Sequence, residues 1–208
     1  MTQHTQPKLT VGSGVDAYYR LHARIYDATR WTFLHGRSTL VEQLRHICQP
    51  RRILEIGCGT GHNLAMLGQT FPNASLVGVD LSADMLAIAK KKLAPVGQRI
   101  DLRRQRYDSP LGEGFDLVVC SYALSMFNPG WDSAIQHARE ELQPGGHFGL
   151  VDFHHSPVPA FRNWMTMNHV RMEAHLLPEL ERHFTPDLSL VRSSAAGLWS
   201  HLLFIGHV

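Results

Sequence analysis

Residues 51–61, RRILEIGCGTG, decide the fold of this chain. The apolar run before Gly57 is too short for a helix and predicts a buried strand, whereas residues 62–71, HNLAMLGQTF, have the spacing of a helix. Between them, small residues allow the backbone to turn tightly and to approach a ligand at the helix N-terminus. The stretch therefore predicts a strand, a nucleotide-binding type of loop and a helix.

The same alternation continues towards the carboxyl end of the chain. Further strands are predicted at 74–82, 100–108, 115–127 and 145–155, and further helices at 83–94 and 131–142. Alternating strands and helices predict an α/β fold with a parallel, doubly wound sheet. Residues 156–185 are predicted to be a helical insertion, followed by two closing strands at 189–195 and 202–208.

The amino-terminal side predicts a flexible tail and a helical cap. Residues 1–14 are mostly polar and contain two glycines, which is typical of a frayed end. Residues 15–49 predict the cap, with Leu40, Leu44 and Ile47 on one apolar stripe, and Pro50 ends it. The length of 208 residues predicts one domain over 1–208.

Composition excludes several classes of protein. A chain that is 44% hydrophobic and 18% charged is typical of a globular protein, and a net charge of +2 gives no indication of a nucleic-acid partner. Cys48, Cys58 and Cys120 lie far apart in sequence, which argues against a disulfide framework or a zinc knuckle. The 14 histidines lack H-x-x-x-H spacing, so we expect no metal. The first residues lack a signal-peptide pattern, and we expect a cytoplasmic protein.

An acidic residue strengthens the nucleotide interpretation of the loop. Asp80 follows Gly61 by 19 residues and ends the next predicted strand, from which a carboxylate can accept hydrogen bonds from ribose hydroxyls. A dinucleotide oxidoreductase is the natural competitor. Its G-x-G-x-x-G pattern fails here, since His62 or Leu64 stands where the last glycine is required.

The motif E-x-G-x-G-x-G, followed by Asp80, resembles the class I methyltransferases that use S-adenosylmethionine, over roughly residues 50–155. The resemblance implies a Rossmann-like seven-stranded sheet and S-adenosyl-L-methionine as cofactor. It implies that Glu55 orders the loop and contacts the methionine end, and that Asp80 holds the ribose. The residues assigned to cofactor binding are Tyr26, Arg37, Glu55, Gly57, Cys58, Gly59, Gly61, His62, Asn63, Asp80, Leu81, Met85, Asp108 and Ser121.

Segments 25–37, 121–126, 151–153, 161–170 and 180–184 look similar to diacylglycerylhomoserine N-methyltransferases of betaine-lipid synthesis. This resemblance implies methylation of the homoserine amine of a lipid, a separate partner enzyme that supplies the lipid, and peripheral contact with the inner face of the membrane. The chain contains no half resembling the enzyme that attaches homoserine to diacylglycerol.

Three residues are assigned to catalysis. Asp152 and His154 lie at the end of the fifth predicted strand, at the carboxyl edge where doubly wound sheets place their sites, and they can orient the amine or accept its proton. Tyr122 is assigned through the narrower resemblance. Aromatic faces for a methylated cation are available on Tyr19, Tyr26, Trp31, Tyr122, Phe127 and Trp131.

The insertion has a second feature of interest. Phe161, Trp164, Met165, Asn168 and Met172 follow helical spacing and predict a lid or membrane-facing helix, with a helix docked on the sheet as the alternative.

Two alternatives to the lipid enzyme remain open. One is a methyltransferase for another small molecule, and the other is a catalytically inactive cofactor-binding partner protein.

Overall fold

The computed structural model describes residues 34–208, apart from the side chain of Gln98. The predictions for the tail, for the first part of the helical cap and for Tyr19, Tyr26 and Trp31 lie outside the described residues.

Helices and strands alternate along most of the described chain. In order they are α1 (Arg37–Ile47), β1 (Arg52–Ile56), α2 (His62–Thr70), β2 (Ser75–Asp80), α3 (Ala83–Leu93), β3 (Ile100–Arg104), β4 (Phe115–Ser121), α4 (Trp131–Glu141), β5 (Leu142–His155), α5 (Pro159–Met167), α6 (Leu176–His183), β6 (Thr185–Ser194) and β7 (Trp199–His207). Short 3₁₀ turns cover Ala94–Arg99, Leu124–Met126 and Ala195–Gly197.

The strands form one seven-stranded sheet in the order β3-β2-β1-β4-β5-β7-β6. Strands β1 to β5 are parallel, and β7 pairs antiparallel with both β5 and β6. The strand order reverses between β1 and β4, which is the switch point where ligands bind to doubly wound sheets. The predicted seven-stranded, doubly wound α/β fold is confirmed.

Apolar residues of the central strands form the core. Strand β1 is buried along most of its length because helices cover both faces of a parallel sheet. Leu40 and Leu44 of α1 are fully buried and pack over Gly149 of β5, where an added Cβ would lie 3.2 Å from Leu44. The helix thereby sits close to the sheet, and the start of α1 lies near the carboxyl ends of β4 and β5.

Two predicted strands end earlier than the sequence pattern indicated, and the described helix of the cap begins only at Arg37. Strand β3 stops at Arg104, and the backbone N–H of Gln105 donates to the carbonyl of Asp80. Strand β4 stops at Ser121, because Tyr122 has a φ of 54° and leads into a 3₁₀ turn. Residues 34–36 form a turn rather than a helix, with Gly36 at a φ of 84° before α1.

The single helix predicted through Met172 is wrong. Helix α5 ends at Met167, where His169 takes a φ of 62°. The N–H of His169 donates to the carbonyl of Thr166 and the N–H of Val170 to that of Met165, the two bonds of a Schellman motif. Met172 is buried beyond this stop, and the insertion contains a second helix, α6.

The apolar side of α5 is divided between the protein and solvent. Met165 is buried and Phe161 stacks on Trp199, with ring centroids 5.7 Å apart, whereas Trp164 is 52% exposed and Met167 is 80% exposed. Within residues 34–208, the helices are too short or too polar to span a bilayer.

Candidate active site

The glycine loop between β1 and α2 is held against the end of β2. The backbone N–H groups of Gly57 and Cys58 both donate to the carbonyl of Val79, at 2.9 and 3.0 Å. Gly57 has a φ of 70°, and a Cβ there would lie 2.6 Å from the Cβ of Ala123. Gly59 has a φ of 52°, but a Cβ there would meet no described atom within 4 Å. Gly57 is therefore required by packing, whereas Gly59 lines open space.

Asp80 connects the two loops of the site. One carboxylate oxygen accepts the N–H of Gly59 at 2.8 Å, and the other accepts the N–H of Ser82 at 2.9 Å. The Ser82 hydroxyl accepts the N–H of Met85 and caps α3. Each carboxylate oxygen has a second lone pair, so the same group can accept hydrogen bonds from a ligand. Asp80 thus orders the loop, and its contact with the ribose stays a prediction.

Glu55 supplies a buried carboxyl group beneath the loop. Its residue is 1% exposed, and burial raises the pKa of Glu55 to about 8, while the nearby charge of Arg37 opposes that rise. Oε2 of Glu55 and both polar side-chain atoms of Asn63 are buried without a hydrogen bond of normal geometry to residues 34–208. Unsatisfied buried polar atoms require an explanation, and a cationic ligand that donates hydrogen bonds would provide one.

Arg37 joins the start of α1 to the end of β4. Its Nε donates to the hydroxyl of Ser121 at 2.8 Å, and its guanidinium carbon lies 5.6 Å from the ring centre of Tyr122. These contacts bring Arg37, Glu55 and Ser121 to the same carboxyl edge of the sheet, although they are distant in sequence.

Tyr122 is held by the protein itself. It is 2% exposed, and its hydroxyl donates to the backbone carbonyl of His35 at 2.6 Å. Burial raises the pKa of the Tyr122 hydroxyl above its usual range, so the group stays protonated. These contacts favour a positioning role for Tyr122 over the catalytic role predicted from the resemblance.

The other residues predicted to bind the cofactor occupy different environments. The Cys58 side chain is buried and faces Gly78, which leaves its backbone as the part available to a ligand. Leu81 is 65% exposed just after β2, and Met85 is half-buried in α3. Gly61 and His62 form the N-cap and first residue of α2.

Asp108 lies apart from the buried part of the site. Its side chain is 68% exposed and lies 4.0 Å from Arg106. Its assignment to cofactor binding remains a prediction.

Asp152 organises the turn that follows β4. The carboxyl is fully buried and accepts the backbone N–H of Ser125 at 3.1 Å and that of Phe153 at 2.7 Å. Burial raises the pKa of Asp152 to about 6, and the hydrogen bonds oppose the rise. A carboxyl in this position can hold the turn, and its protonation can change when a charged group binds at the sheet edge.

His154 lies in a group of polar side chains at the end of β5, which we call the edge cluster: Ser125, Trp131, His154, Arg171 and His175. Burial lowers the pKa of His154, and lowers the pKa of His175 to about 4. Both histidines are therefore neutral at physiological pH. Nδ1 of His154 and both ring nitrogens of His175 are buried without hydrogen-bond partners among residues 34–208. The Ser125 hydroxyl is buried beside the Asp152 carboxyl.

The insertion closes one side of the edge cluster. The N–H of Arg171 donates to the carbonyl of Ser125 at 2.8 Å, and the guanidinium lies 6.0 Å from the Trp131 ring. His175 packs edge-on against Trp131 at 4.7 Å. Ser125 and His175 were not identified from sequence; the available signal was that Ser125 follows a buried strand and that His175 precedes an amphipathic helix.

The described residues fit S-adenosylmethionine. Among the described residues, Gly59 leaves room for a ligand close to the backbone, Asp80 offers carboxylate lone pairs, and Glu55 offers a buried carboxyl that a cation would favour in its charged form. Exposed Leu81 provides an apolar surface beside the loop. The arrangement fits an adenosine at one end and a positively charged methionine group at the other.

Comparison with known proteins agrees with this site. Residues 54–148 match the family model described as a methyltransferase domain. Malonyl-[acyl-carrier protein] O-methyltransferase of Priestia megaterium is 32% identical over 128 residues, which cover 60% of this chain and 46% of the relative. Carboxy-S-adenosyl-L-methionine synthase of Trichodesmium erythraeum is 34% identical over 139 residues, covering 64% of this chain and 55% of the relative. The chain thus spans about half the length of the curated relatives it matches.

A solved structure shares the fold. N-methyltransferase NodS of Bradyrhizobium japonicum, in complex with S-adenosylhomocysteine, superposes with a TM-score of 0.68 and 20% identity, covering 83% of this chain and 85% of NodS. Residues 54–56 of β1, the glycine loop and strands β2 to β4 lie within the matched methyltransferase domain, with Glu55 and Asp80 among its residues.

Proposed function

We propose that this chain, whose residues 54–148 match a methyltransferase domain, transfers a methyl group from S-adenosylmethionine to an acceptor bound at the carboxyl edge of the sheet. The observation that carries the proposal is the pair of carboxyl groups around the glycine loop. Asp80 holds the N–H of Gly59, and Glu55 lies buried beneath the same loop. When bound, the cofactor supplies an electrophilic methyl group on a sulfonium.

The protein's contribution to such a reaction is chiefly orientation. In-line displacement requires the donor and acceptor to be held at attack distance, which converts a bimolecular step into one within a complex. The loop and Asp80 fix the cofactor side, and the edge cluster lies on the acceptor side at the end of β5. An amine acceptor reacts only when unprotonated, and a neutral His154 is able to accept a proton near neutral pH.

We further propose that the acceptor is the homoserine amine of diacylglycerylhomoserine, which is methylated to a betaine lipid. The resemblance of segments 25–37, 121–126 and 151–153 supports this acceptor, together with the apolar surface of α5. Trp164 and Met167 project from that helix into solvent, and the same insertion packs on Ser125 at the edge cluster. A helix in this position suits an enzyme whose substrate stays in a bilayer. A separate enzyme would then supply the lipid.

A methyltransferase for a soluble acceptor is the main rival. The two reported relatives are named for a malonyl-[acyl-carrier protein] acceptor and for a carboxylated S-adenosylmethionine, so the glycine loop alone does not select a lipid. The unpartnered nitrogens of His154 and His175 favour a polar acceptor group of either kind. A cofactor-binding partner without transferase activity is the third possibility.

The decisive experiment for methyl transfer follows S-adenosylhomocysteine formation by the purified protein with lipid and soluble acceptors. The Asp80→Ala variant is the matched control, because it alters the cofactor loop and leaves the edge cluster intact. Acceptor-dependent turnover that falls in this variant at limiting S-adenosylmethionine supports the proposal. Cofactor binding with no methylated product from any acceptor would identify a binding protein instead.

The lipid acceptor is tested by expression in a host that makes no betaine lipid, with and without the enzyme that supplies the homoserine lipid. Lipid mass spectrometry should then detect methylated homoserine lipid only when both proteins are present. Turnover confined to soluble acceptors would contradict the lipid proposal and leave methyl transfer standing.

A further inference from the structure

Three side chains with metal-binding groups meet at the end of the sheet that lies opposite the glycine loop. They are His147 of β5, Asp187 of β6 and His207 of β7. We call them the strand triad. Each offers one ligand atom, and these atoms all lie within 4.8 Å of one another.

The register of the sheet explains how the triad forms. His147 and His207 are direct cross-strand partners in the antiparallel pair of β5 and β7, so their side chains share one face. The ladder between β6 and β7 shifts register between Pro186 and Leu188, and Asp187 is the extra residue of that bulge. Bulges of this kind re-aim a side chain, and here the carboxylate lies against both imidazoles.

The distances fit a small divalent cation. Nδ1 of His207 lies 3.0 and 3.1 Å from the two carboxylate oxygens of Asp187, and Nε2 of His147 lies 3.7 Å from one of them. In a tetrahedral zinc site with bonds of about 2.0–2.1 Å, ligand atoms lie about 3.3–3.4 Å apart. Shifts of a few tenths of an ångström in these three side chains would therefore produce zinc-like ligand spacing.

The triad is also accessible to an ion. The side chains of His147, Asp187 and His207 are 19%, 26% and 40% exposed, so the group is shielded but open to solvent on one side. Three protein ligands with an open fourth position are a common arrangement for zinc, and two imidazoles with a carboxylate suit it chemically.

We propose that the strand triad binds a divalent transition-metal ion, with Zn²⁺ as the best fit, and that the ion joins the edge strand β6 to β7 and β5. The site is separate from the one proposed for methyl transfer. His147 lies eight residues before His155 along β5, roughly 26 Å from the carboxyl edge at about 3.3 Å per residue. The spacing of the three ligands in sequence matches no short metal motif, which is why the histidine pattern predicted none.

The test uses tag-free, chelator-treated protein and Zn²⁺ itself. We expect one Zn²⁺ per chain by calorimetry and a rise in the unfolding temperature that depends on zinc concentration, since a ligand of the native state stabilises it. His147→Ala and His207→Ala should each weaken zinc binding by at least about tenfold. Loss of a residue that only hydrogen-bonds a metal ligand already weakens metal binding by about ten- to a hundredfold, and loss of a ligand itself should weaken it no less.

His183→Ala is the matched control. His183 on α6 also hydrogen-bonds a carboxylate, that of Glu179, at 3.1 Å. Among the described residues, no second histidine joins this pair to make a group of three metal-binding side chains. We expect this variant to keep the zinc affinity of the parent protein. If His183→Ala weakens binding as much as the triad variants do, or if the triad variants bind zinc unchanged, the proposal is wrong.

Asp187→Asn and the Co²⁺ spectrum separate coordination from folding. The substitution keeps the size of the side chain. If Asp187→Asn without metal unfolds at the same temperature as the parent protein but no longer binds zinc, Asp187 is a direct ligand. Co²⁺ bound to the parent protein should show tetrahedral d–d bands that Asp187→Asn lacks. Octahedral Co²⁺ bands in both proteins would overturn the site.

Discussion

The carboxylate of Asp80 accepts the backbone N–H of Gly59 at 2.8 Å, across 21 positions of sequence. This bond joins the end of β2 to the glycine loop after β1. It makes Asp80 a residue that positions the loop as well as one that is predicted to hold the ribose.

Asp80→Ala should weaken S-adenosylmethionine binding by about 1.5 to 3 kcal/mol, or about ten- to a hundredfold, because charge-assisted hydrogen bonds are lost on both the loop and the ligand. Asp80→Asn keeps one carbonyl oxygen as an acceptor and should lose less. Calorimetry on both folded variants measures the difference. Unchanged affinity in Asp80→Ala would remove Asp80 from the site.

Gly59→Ala and Gly57→Ala should separate binding from folding. Gly59→Ala adds a methyl group into open space at a φ of 52°, which costs about 1–2 kcal/mol of backbone strain and blocks close approach of the cofactor. Gly57→Ala adds the same group 2.6 Å from Ala123, so overpacking, typically about 1–3 kcal/mol, adds to a similar strain. Denaturant unfolding should therefore show Gly57→Ala as the less stable protein.

Cofactor affinity measured on the same two proteins completes the comparison. Gly59→Ala should fold and lose S-adenosylmethionine binding. Full binding by Gly59→Ala would show that the cofactor does not approach the loop at this residue.

Glu55 should release a proton when the cofactor binds. Its pKa is raised to about 8 by burial, so the free protein at pH 7 holds Glu55 mostly protonated, and a cationic ligand favours the carboxylate. The contribution of Glu55 to affinity should then fall as pH decreases below about 8, by up to about tenfold per pH unit. Calorimetry at pH 7 in buffers of different ionisation enthalpy counts the protons.

Glu55→Gln is the control for that count, because it is uncharged at every pH. The difference in proton release between the two proteins gives the protons that come from Glu55, because any protons released by the amino group of the cofactor are common to both. Equal proton release in both would show that Glu55 does not face the positive end of the ligand.

His154→Ala should lower turnover far more than cofactor affinity. Burial lowers the pKa of His154, so its imidazole is neutral while the acceptor amine loses its proton, and we expect activity to rise from acidic to mildly basic pH. His155→Ala is the matched control, since His155 is the exposed neighbour on the same strand. A flat pH profile of the chemical step, with His154→Ala and Asp152→Asn fully active, would remove support for this assignment.

Trp164→Glu should reduce binding to anionic vesicles. Trp164 is 52% exposed on α5, and apolar area contributes about 25 cal/mol per Å² when it enters the membrane interface. Val191→Glu is the control, because Val191 is 49% exposed on β6. Co-sedimentation should fall with added salt and fall further in Trp164→Glu, with cofactor affinity unchanged. Normal sedimentation of Trp164→Glu would place any membrane contact elsewhere.

Local chemistry explains what the sequence could predict. The strand, glycine loop and helix of residues 51–71, and the acidic residue at the end of β2, follow from short-range rules of apolar spacing and backbone freedom. For the same reason, the order of strands and helices and the position of the glycine loop were predictable, whereas the contacts of that loop with a cofactor stay a prediction. The helix through Met172 was wrong because a histidine, rather than the usual glycine, takes the left-handed conformation that ends α5.

Sequence alone determined the doubly wound fold and the carboxyl pair Glu55 and Asp80, because each is encoded within a few residues of a strand end. Only the tertiary structure decided which distant groups meet. Arg37 donates a hydrogen bond to Ser121, 84 positions away in sequence. The strand triad combines residues of three strands and depends on the bulge in β6. The physical reason is that strand register and helix docking set these contacts, and both depend on burial of the whole sheet rather than on any local pattern.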